Sequence, residues 1–222
     1  MVKRAYKRLG FYISIFVILM AGVILIFCAR EIRETTEQVD DEMNNNIDYA
    51  AMSCQNCLSD AIDILTVNYF TVQYMHESGY SMDECRTYFT EQTDYLKNEE
   101  SMQYLGIYGY IDGELMLSTA WEQPEGYRIE DRSWYQEMKQ NGTELTITTP
   151  YLDMKTNRQV VSVGRMFRDG SNLIGVDVDL EDLSNLLKEL DAGAGEIYIV
   201  DQTGSIIAGG ESAYMGKTLD SM

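Results

Sequence analysis

The chain has 222 residues, which is enough for one domain of ordinary size together with a tether. Apolar residues make up 45% of it, and this share excludes an intrinsically disordered chain. Its 36 acidic and 17 basic residues give a net charge of −19, which argues against a nucleic-acid-binding protein because such proteins need the opposite sign. The acidic balance is typical of an exposed, well-solvated domain.

An uncharged apolar segment follows the basic N-terminus. Leu9–Cys28 is 20 residues long, which at a helical rise of about 1.5 Å per residue spans a bilayer core of about 30 Å. The basic residues before it predict a cytoplasmic N-terminus over residues 1–8, a transmembrane helix over 9–29, and an extracellular remainder. The alternatives are a cleaved signal peptide, whose apolar core is usually shorter, and a lipid-modified Cys28, which the bulky Phe27 disfavours.

Apolar residues at steps of three or four predict a long helix after this anchor. No Pro or Gly interrupts the pattern until Gly79, so we expect an extracellular helix over residues 30–79. A simple spacer is the alternative, and the stripe alone does not exclude it. The stripe comprises Val39, Met43, Ile47, Ala51, Cys54, Leu58, Ile62, Leu65, Tyr69 and Val72.

The signals beyond Gly79 change from helical to strand-like. Ser81 and Glu84 form a capping-box pattern that opens a second helix to about Asn98, and Ser133 is expected to cap a short helix that ends at residues 141–142. Helices followed by antiparallel strands predict an α+β fold. The predicted strands cover 104–110, 114–118, 145–149, 159–167 and 172–178, followed by a helix over 181–190 and a hairpin of 196–200 with 205–208.

The segment from Tyr127 to Tyr135 concentrates groups that bind small polar ligands. The guanidinium of Arg132 can form two parallel hydrogen bonds to a carboxylate, and the Trp134 indole N–H can add a third. An acidic residue further along the chain could then accept from the ammonium of a free amino acid. Each residue also has a plainer interpretation. Trp134 and Tyr135 could belong to the core, and Arg132 could pair with the acidic residues directly before it.

Four stretches resemble the double Cache domain of bacterial transmembrane receptors, namely 132–135, 150–153, 175–183 and 198–204. That family includes chemotaxis receptors, sensor histidine kinases and membrane-bound diguanylate cyclases. The spacing in residues 127–135 is similar to that of the subset that binds free amino acids. The ligand-binding residues implied by the resemblance are Tyr127, Arg132, Trp134, Tyr135, Tyr151 and Asp177.

Within that resemblance, Asp177 best matches the family's acidic partner of the ligand ammonium. Asp179 is the alternative, since it lies two residues along and on the same face of a strand. Ser133, where many relatives have Pro, is a small departure.

The resemblance also implies a domain organisation. A long N-terminal helix would pack on a PAS-like, membrane-distal module over residues 80–192, which holds the ligand site. A membrane-proximal module would begin over 193–222. The second membrane helix and any output domain are missing, so we expect a piece of a longer receptor that forms homodimers through the long helix.

Together these features predict an extracellular sensor of free amino acids that catalyses nothing and needs no cofactor or metal. The alternatives are a sensor of another small carboxylate or amine, a membrane-tethered interaction protein, and an enzyme. The sequence offers no set of nucleophile, base and orienting group for an enzyme.

Cys54 and Cys57 lack a second pair at zinc spacing, so we expect free thiols, with a Cys57–Cys85 disulfide as the alternative. His76 is expected to be structural.

Overall fold

The computed structural model describes residues 2–98, 104–118, 121–190, 197–201, 204–209, 214, 217 and 218. The side chains of residues 1–15, 17, 182 and 186 also lie outside the description, and they include part of the predicted anchor. Contacts divide the chain into two units, Met1–Asp48 and Tyr49–Met222.

Four helices and eight strands form the described part of the chain. The helices are α1 (Val2–Glu77), α2 (Met82–Asn98), α3 (Ser133–Asn141) and α4 (Leu180–Leu190), with a 3-10 turn at Ile129–Asp131. The strands are β1 (Tyr104–Ile111), β2 (Glu114–Leu117), β3 (Thr146–Ile147), β4 (Tyr151–Leu152), β5 (Gln159–Met166), β6 (Leu173–Asp179), β7 (Tyr198–Val200) and β8 (Ile206–Gly209). The predicted α+β fold with an antiparallel sheet is confirmed.

The first unit is helical from Val2 onward. An exposed ion pair at one-turn spacing, between Arg30 and Glu34 at 2.7 Å, adds modest support to this helix. No helix within the described residues is both long enough and apolar enough to cross a bilayer. The predicted apolar stripe is exposed in this unit at Val39, Met43 and Ile47.

The second unit is built on a sheet of strand order β2-β1-β6-β5-β3, with β4 also pairing with β5. All of these pairs are antiparallel. The central partners are β1, β6 and β5, which are also the longest strands of the sheet. A separate two-stranded sheet joins β7 to β8, so the predicted final hairpin is present, although Glu196, Gln202 and Thr203 of that prediction lie outside the described residues.

The alternation of side chains along each strand separates the two faces of the large sheet. One face packs against the second half of the apolar stripe, where Leu65, Tyr69 and Val72 of α1 are buried, and against Phe89 of α2. The other face carries an aromatic cluster with α3, comprising Tyr108, Ile129, Trp134, Tyr135, Met138, Met166 and Leu173. Asp177 is four residues from Leu173 on β6 and therefore belongs to the aromatic face.

The capping box at the start of α2 is confirmed. The backbone N–H of Ser81 donates to Glu84 Oε2 at 2.8 Å, and the N–H of Glu84 donates to Ser81 Oγ at 3.3 Å. The Ser81 hydroxyl also donates to Glu84 Oε2 at 2.7 Å, and the two bonds that this oxygen accepts lower the pKa of the Glu84 carboxyl because they favour its charged form. The start of α3 differs from the prediction, because Arg132 occupies the cap position there, its side chain does not cap the helix, and Ser133 is the first helical residue.

We expect Ser81→Ala to lower the free energy of unfolding by about 1 kcal/mol, because it removes the hydroxyl that caps α2. Ser133→Ala is the matched control, since Ser133 also begins a helix but caps nothing, and it should change stability by less than about 0.5 kcal/mol. Denaturant unfolding of the two variants checks this. Equal effects for both serines would contradict the assignment of the cap.

Two sequence predictions around β3 and β4 were wrong in extent. The predicted strand over 145–149 is only two residues long, at Thr146–Ile147, and Tyr151–Leu152 forms a strand that was not predicted. Both pair with β5, so they are held by tertiary pairing rather than by a long apolar pattern of their own.

The cysteine and histidine predictions have clear outcomes. None of the four cysteines, all of which lie in the described part of the chain, forms a disulfide, so the alternative Cys57–Cys85 bond is absent. Burial raises the pKa of the Cys54 and Cys85 thiols. His76 does have partners, with its Nε2 lying 3.1 Å from Asp112 Oδ1 and 3.3 Å from Asn172 Nδ2. These contacts join the end of α1 to the two turns at that end of the sheet.

Candidate functional site

A pocket opens on the aromatic face of the sheet, between β1, β6, the segment before α3 and the turn after β4. Five of the six residues predicted to bind the ligand line it, namely Tyr127, Arg132, Trp134, Tyr151 and Asp177. The sequence separation between the first and last of these is 50 residues, so the fold brings them together. The cavity volume is about 70 Å³, which suits a ligand of few atoms.

The carboxyl of Asp177 is held by a hydrogen-bond network at the floor of this pocket. Ser162 Oγ donates to Asp177 Oδ1 at 2.5 Å, and Tyr151 OH donates to the same oxygen at 3.2 Å. Ser162 in turn accepts from the buried Tyr108 OH at 3.0 Å. Ser162 and Asp177 are direct partners in the β5–β6 register, which explains why their side chains meet. Within the described residues, both of the hydrogen bonds that Asp177 accepts from Ser162 and Tyr151 end on Oδ1, and Oδ2 is available to a ligand.

Burial raises the pKa of Asp177 to about 7. The Ser162 hydroxyl opposes this rise, because its hydrogen bond favours the carboxylate, whereas the nearby Asp153 adds to it by like-charge repulsion. Burial and the charge of Asp177 also raise the pKa of Tyr108 and Tyr151, so both phenols stay protonated and act as donors. A buried carboxylate that is costly to ionise gains from the approach of a cationic ligand.

Arg132 enters the pocket from the cap position of α3. Its Nη2 donates to the carbonyl oxygen of Leu152 at 3.3 Å, which ties it to β4. The plainer interpretation of a surface ion pair does not hold within the described residues, because it is Arg128 that lies near Glu130 and Asp131, at 3.7 and 3.9 Å. The remaining N–H groups of Arg132 are therefore available to a ligand carboxylate.

Aromatic rings form the walls beside Arg132. Trp134 is buried, with its ring edge-on to Tyr108 at 5.1 Å between centroids and tilted against Tyr151 at 6.5 Å. Its indole N–H makes no hydrogen bond within the described part of the chain, although the residue lines the pocket. Tyr127 packs edge-on against Trp121 at 5.1 Å. Burial raises the pKa of Tyr127, while the charge of Arg132 opposes that rise.

Tyr135 is placed differently from the other predicted residues. It is buried and does not line the pocket, and its ring packs edge-on against Tyr110 at 5.8 Å and Trp134 at 6.1 Å. It therefore supports the wall that carries Trp134. Direct contact of Tyr135 with a ligand stays a prediction.

Asp179, the alternative acidic partner, is used elsewhere. Its side chain is 2% exposed, is paired with Arg158 Nη1, and accepts from the backbone N–H of Glu181 at the start of α4. It does not line the pocket. Asp177 and Asp179 lie on the same face of β6, and the structure distinguishes them because only Asp177 lines the pocket.

Several lining residues were missed by the sequence analysis. Asp153, Lys155 and Thr156 come from the turn between β4 and β5, and Trp121 comes from the segment after β2. Asp153 lies within a stretch that carried the family resemblance, which was a usable signal. Lys155 and Trp121 belong to no recognised pattern, so only the fold reveals them.

We expect Tyr108→Phe to cost about 1 kcal/mol of stability, since it removes one buried hydrogen bond while keeping the ring against Trp134. Ligand affinity should fall by less than about tenfold, because Ser162 keeps its bond to Asp177. Tyr95→Phe, at an exposed position of α2, is the control. A loss of all binding in Tyr108→Phe would show that the network is more fragile than its geometry implies.

A helix-backed antiparallel sheet with a polar pocket on its opposite face defines a PAS-like sensor domain. The chain belongs to the family of methyl-accepting chemotaxis protein-like first PDC sensor domains, whose sequence model matches residues 62–185. The matched range contains both the sheet and every lining residue named above.

Its curated relatives are chemotaxis proteins. It is 29% identical over 157 residues to a probable methyl-accepting chemotaxis protein of Bacillus thuringiensis, covering 69% of this chain and 23% of that protein. It is 27% identical over 121 residues to the methyl-accepting chemotaxis protein McpG of Pseudomonas putida, covering 54% of this chain and 19% of that protein. The matched parts are thus less than a quarter of these relatives' length.

Solved structures share the fold. The ligand-binding domain of the Pseudomonas fluorescens chemoreceptor CtaA, in complex with L-alanine, aligns with a TM-score of 0.63 and 20% identity over 82% of this chain and 76% of that one. The ligand-binding domain of the Pseudomonas aeruginosa amino-acid chemoreceptor PctC, in complex with GABA, aligns with a TM-score of 0.65 and 18% identity over 82% of both chains.

Proposed function

We propose that this chain is the extracytoplasmic ligand-sensing part of a bacterial chemotaxis receptor and that its ligand is a free amino acid. The observation that carries the proposal is that Arg132 and Asp177 line one pocket. A guanidinium and a carboxylate facing the same small space complement a ligand with one carboxylate and one ammonium. Membership of a sensor family favours this function over an enzyme.

In the proposed complex, Arg132 forks onto the ligand carboxylate and the Trp134 N–H adds a donor. The Tyr151 hydroxyl joins them by turning its single proton from Asp177 to the ligand. Asp177 accepts from the ligand ammonium through Oδ2, with Tyr127 beside it. Charged hydrogen bonds contribute about 1.5–3 kcal/mol each. Four or five of them, less the cost of immobilising the ligand, are compatible with micromolar affinity, or about −8 kcal/mol.

The solved neighbours support the ligand class without fixing the ligand. CtaA is described with L-alanine, L-valine, L-serine and other amino acids, and PctB with L-Arg. PctC is described with GABA, whose ammonium and carboxylate are further apart than those of an α-amino acid. A sensor of another small amine or carboxylate is therefore the second candidate.

The receptor context is part of the proposal. The curated relatives are much longer methyl-accepting chemotaxis proteins, which favours a chemotaxis output over a kinase or cyclase. The apolar run over residues 9–29 and the basic residues before it support a membrane anchor with a cytoplasmic N-terminus. We place the ligand module over 80–192 and the start of a second module over 193–222. Ligand binding would bias a homodimer of α1 helices with a coupling of about 1–3 kcal/mol.

A ligand screen tests the proposal. The full chain, purified in a mild detergent, is melted in the presence of each standard amino acid, GABA and a set of small carboxylic acids and amines. A ligand that binds only the folded state must raise the melting temperature. We expect at least one amino acid to do so and simple acids to have little effect.

Two outcomes would contradict the proposal in different ways. If carboxylic acids raise the melting temperature and amino acids do not, Asp177 does not hold an ammonium. If no compound acts on a chain that melts cooperatively, the alternative of a tethered interaction protein is favoured.

A further inference from the structure

The pocket contains two cationic and two anionic side chains. Arg132 and Lys155 carry the positive charges, and Asp153 and Asp177 carry the negative ones. The other lining residues are uncharged, and apolar side chains such as Leu115, Leu117 and Met154 make up much of the wall. With Asp177 ionised, the charges that line the pocket therefore sum to zero.

Lys155 is held near both carboxylates by the turn that follows β4. Asp153 Oδ2 accepts from the backbone N–H of Thr156 at 2.8 Å and from its hydroxyl at 2.6 Å, which closes this turn. Burial and the nearby Lys97 lower the pKa of Lys155, whereas Asp153 and Asp177 act in the opposite direction. Its ammonium therefore lies within the field of both acids while it borders the pocket.

We infer that the pocket selects amino acids of zero net charge and that Lys155 sets this preference. This inference rests on the proposed function, in which Arg132 and Asp177 bind the groups that all amino acids share. Lys155 and one carboxylate then remain, and they neutralise each other. A ligand with an additional charge of either sign would leave one charge without a counter-charge in a partly buried space, which is unfavourable.

Substitutions that remove one charge from the pocket lining should therefore change the preferred charge of the ligand in a predictable direction. Lys155→Met keeps a side chain of similar size but leaves the lining with one excess negative charge, so it should favour cationic ligands. Asp153→Asn keeps an acceptor oxygen for Thr156 and leaves one excess positive charge, so it should favour anionic ligands. The two variants thus make opposite predictions from one hypothesis.

The experiment is calorimetric titration of the full chain with L-alanine, L-leucine, L-lysine and L-glutamate. For the native chain we expect the neutral ligands to bind at least about tenfold more tightly than the charged ones. In Lys155→Met the affinity ratio of L-lysine to L-leucine should rise about tenfold, and in Asp153→Asn the ratio of L-glutamate to L-leucine should rise similarly. Lys188→Met, at an exposed position of α4, is the control and should leave both ratios unchanged.

The outcomes separate this inference from the proposed function. If L-alanine or L-leucine binds but charged amino acids bind equally well, or if Lys155→Met leaves the ratios unchanged, the inference is wrong and the amino-acid site stands. If a charged amino acid is the tightest ligand of the native chain, the inference is also wrong. If no amino acid binds the native chain, both are wrong.

Discussion

Arg132→Lys is expected to reduce amino-acid affinity about a hundredfold, although it conserves the charge, because an ammonium cannot form two parallel bonds to a carboxylate. Arg132→Ala should reduce the affinity further, since the charge is lost as well. The fold should tolerate both changes, because the Arg132 side chain makes only one hydrogen bond within the described residues, the one to the carbonyl oxygen of Leu152. Calorimetric titration with the best amino acid from the screen measures the effect.

Arg128→Lys is the matched control for this prediction. Arg128 lies four residues earlier, is 68% exposed on its side chain, and contacts acidic residues on the surface rather than the pocket. It should bind ligand as the native chain does. If Arg128→Lys and Arg132→Lys lose equal affinity for the ligand, Arg132 makes no specific contact with it. If Arg132→Ala binds as tightly as the native chain, the proposed carboxylate site is wrong.

Asp177 should make ligand affinity strongly dependent on pH. Its pKa is about 7, and only the ionised form pairs with an ammonium. Affinity should therefore be high above pH 7 and approach a tenfold fall per pH unit below it, which gives about a fiftyfold loss between pH 7 and pH 5. Asp177→Asn should bind weakly at every pH and lose this dependence, whereas Asp60→Asn, at an exposed position of α1, should keep it.

The same residue should have the opposite effect on the stability of the ligand-free chain. The folded pKa of Asp177 is raised above its ordinary value of 3.8, so its contribution to stability is fully present below about pH 4 and is lost as the pH rises through about 7. Asp177→Asn removes this loss. We expect its melting temperature to exceed that of the native chain at pH 8 and to approach it at pH 4, and a variant that is less stable at pH 8 would contradict the assigned pKa.

A third variant tests whether the pH dependence of affinity follows the pKa of Asp177. Ser162→Ala removes the hydroxyl that favours the carboxylate, so the pH at which affinity falls should move upward. Unchanged pH dependence in Ser162→Ala would mean that another group titrates.

Much of the fold was predictable because its signals are local. The capping box at Ser81, the adjacent predicted strands 104–110 and 114–118, and the helix-ending Gly142 depend on residues that are close together in the chain, and each lies where the pattern indicated. The two short strands at the edge of β5 were not predictable in this way, since their pairing depends on a partner that is distant in sequence. Their position nevertheless determines the shape of the pocket, because Tyr151 and the turn after β4 form one side of it.

The candidate site divides in a similar manner. The segment 127–135 could be recognised because its polar and aromatic groups are close together in sequence, and three of its four predicted residues, Tyr127, Arg132 and Trp134, line the pocket. The choice between Asp177 and Asp179 needed coordinates, since both point to one face and only the partner Arg158 separates them. Lys155 could not be found from sequence, because a single lysine in a polar turn has no distinctive neighbours.

The turn after β4 is closed by its own bonds. Asn157 N–H donates to the carbonyl of Asp153 at 2.8 Å, Asp153 N–H donates to the carbonyl of Arg158 at 2.9 Å, and the Thr156 bonds complete the loop. Asn157 adopts a positive φ of 58°, a conformation that asparagine tolerates better than most residues. Such a self-contained loop can diverge, or be grafted between receptors, without disturbing the strands beneath it. A receptor with this loop can therefore change its ligand specificity while the groups that bind the carboxylate and ammonium common to all amino acids stay the same.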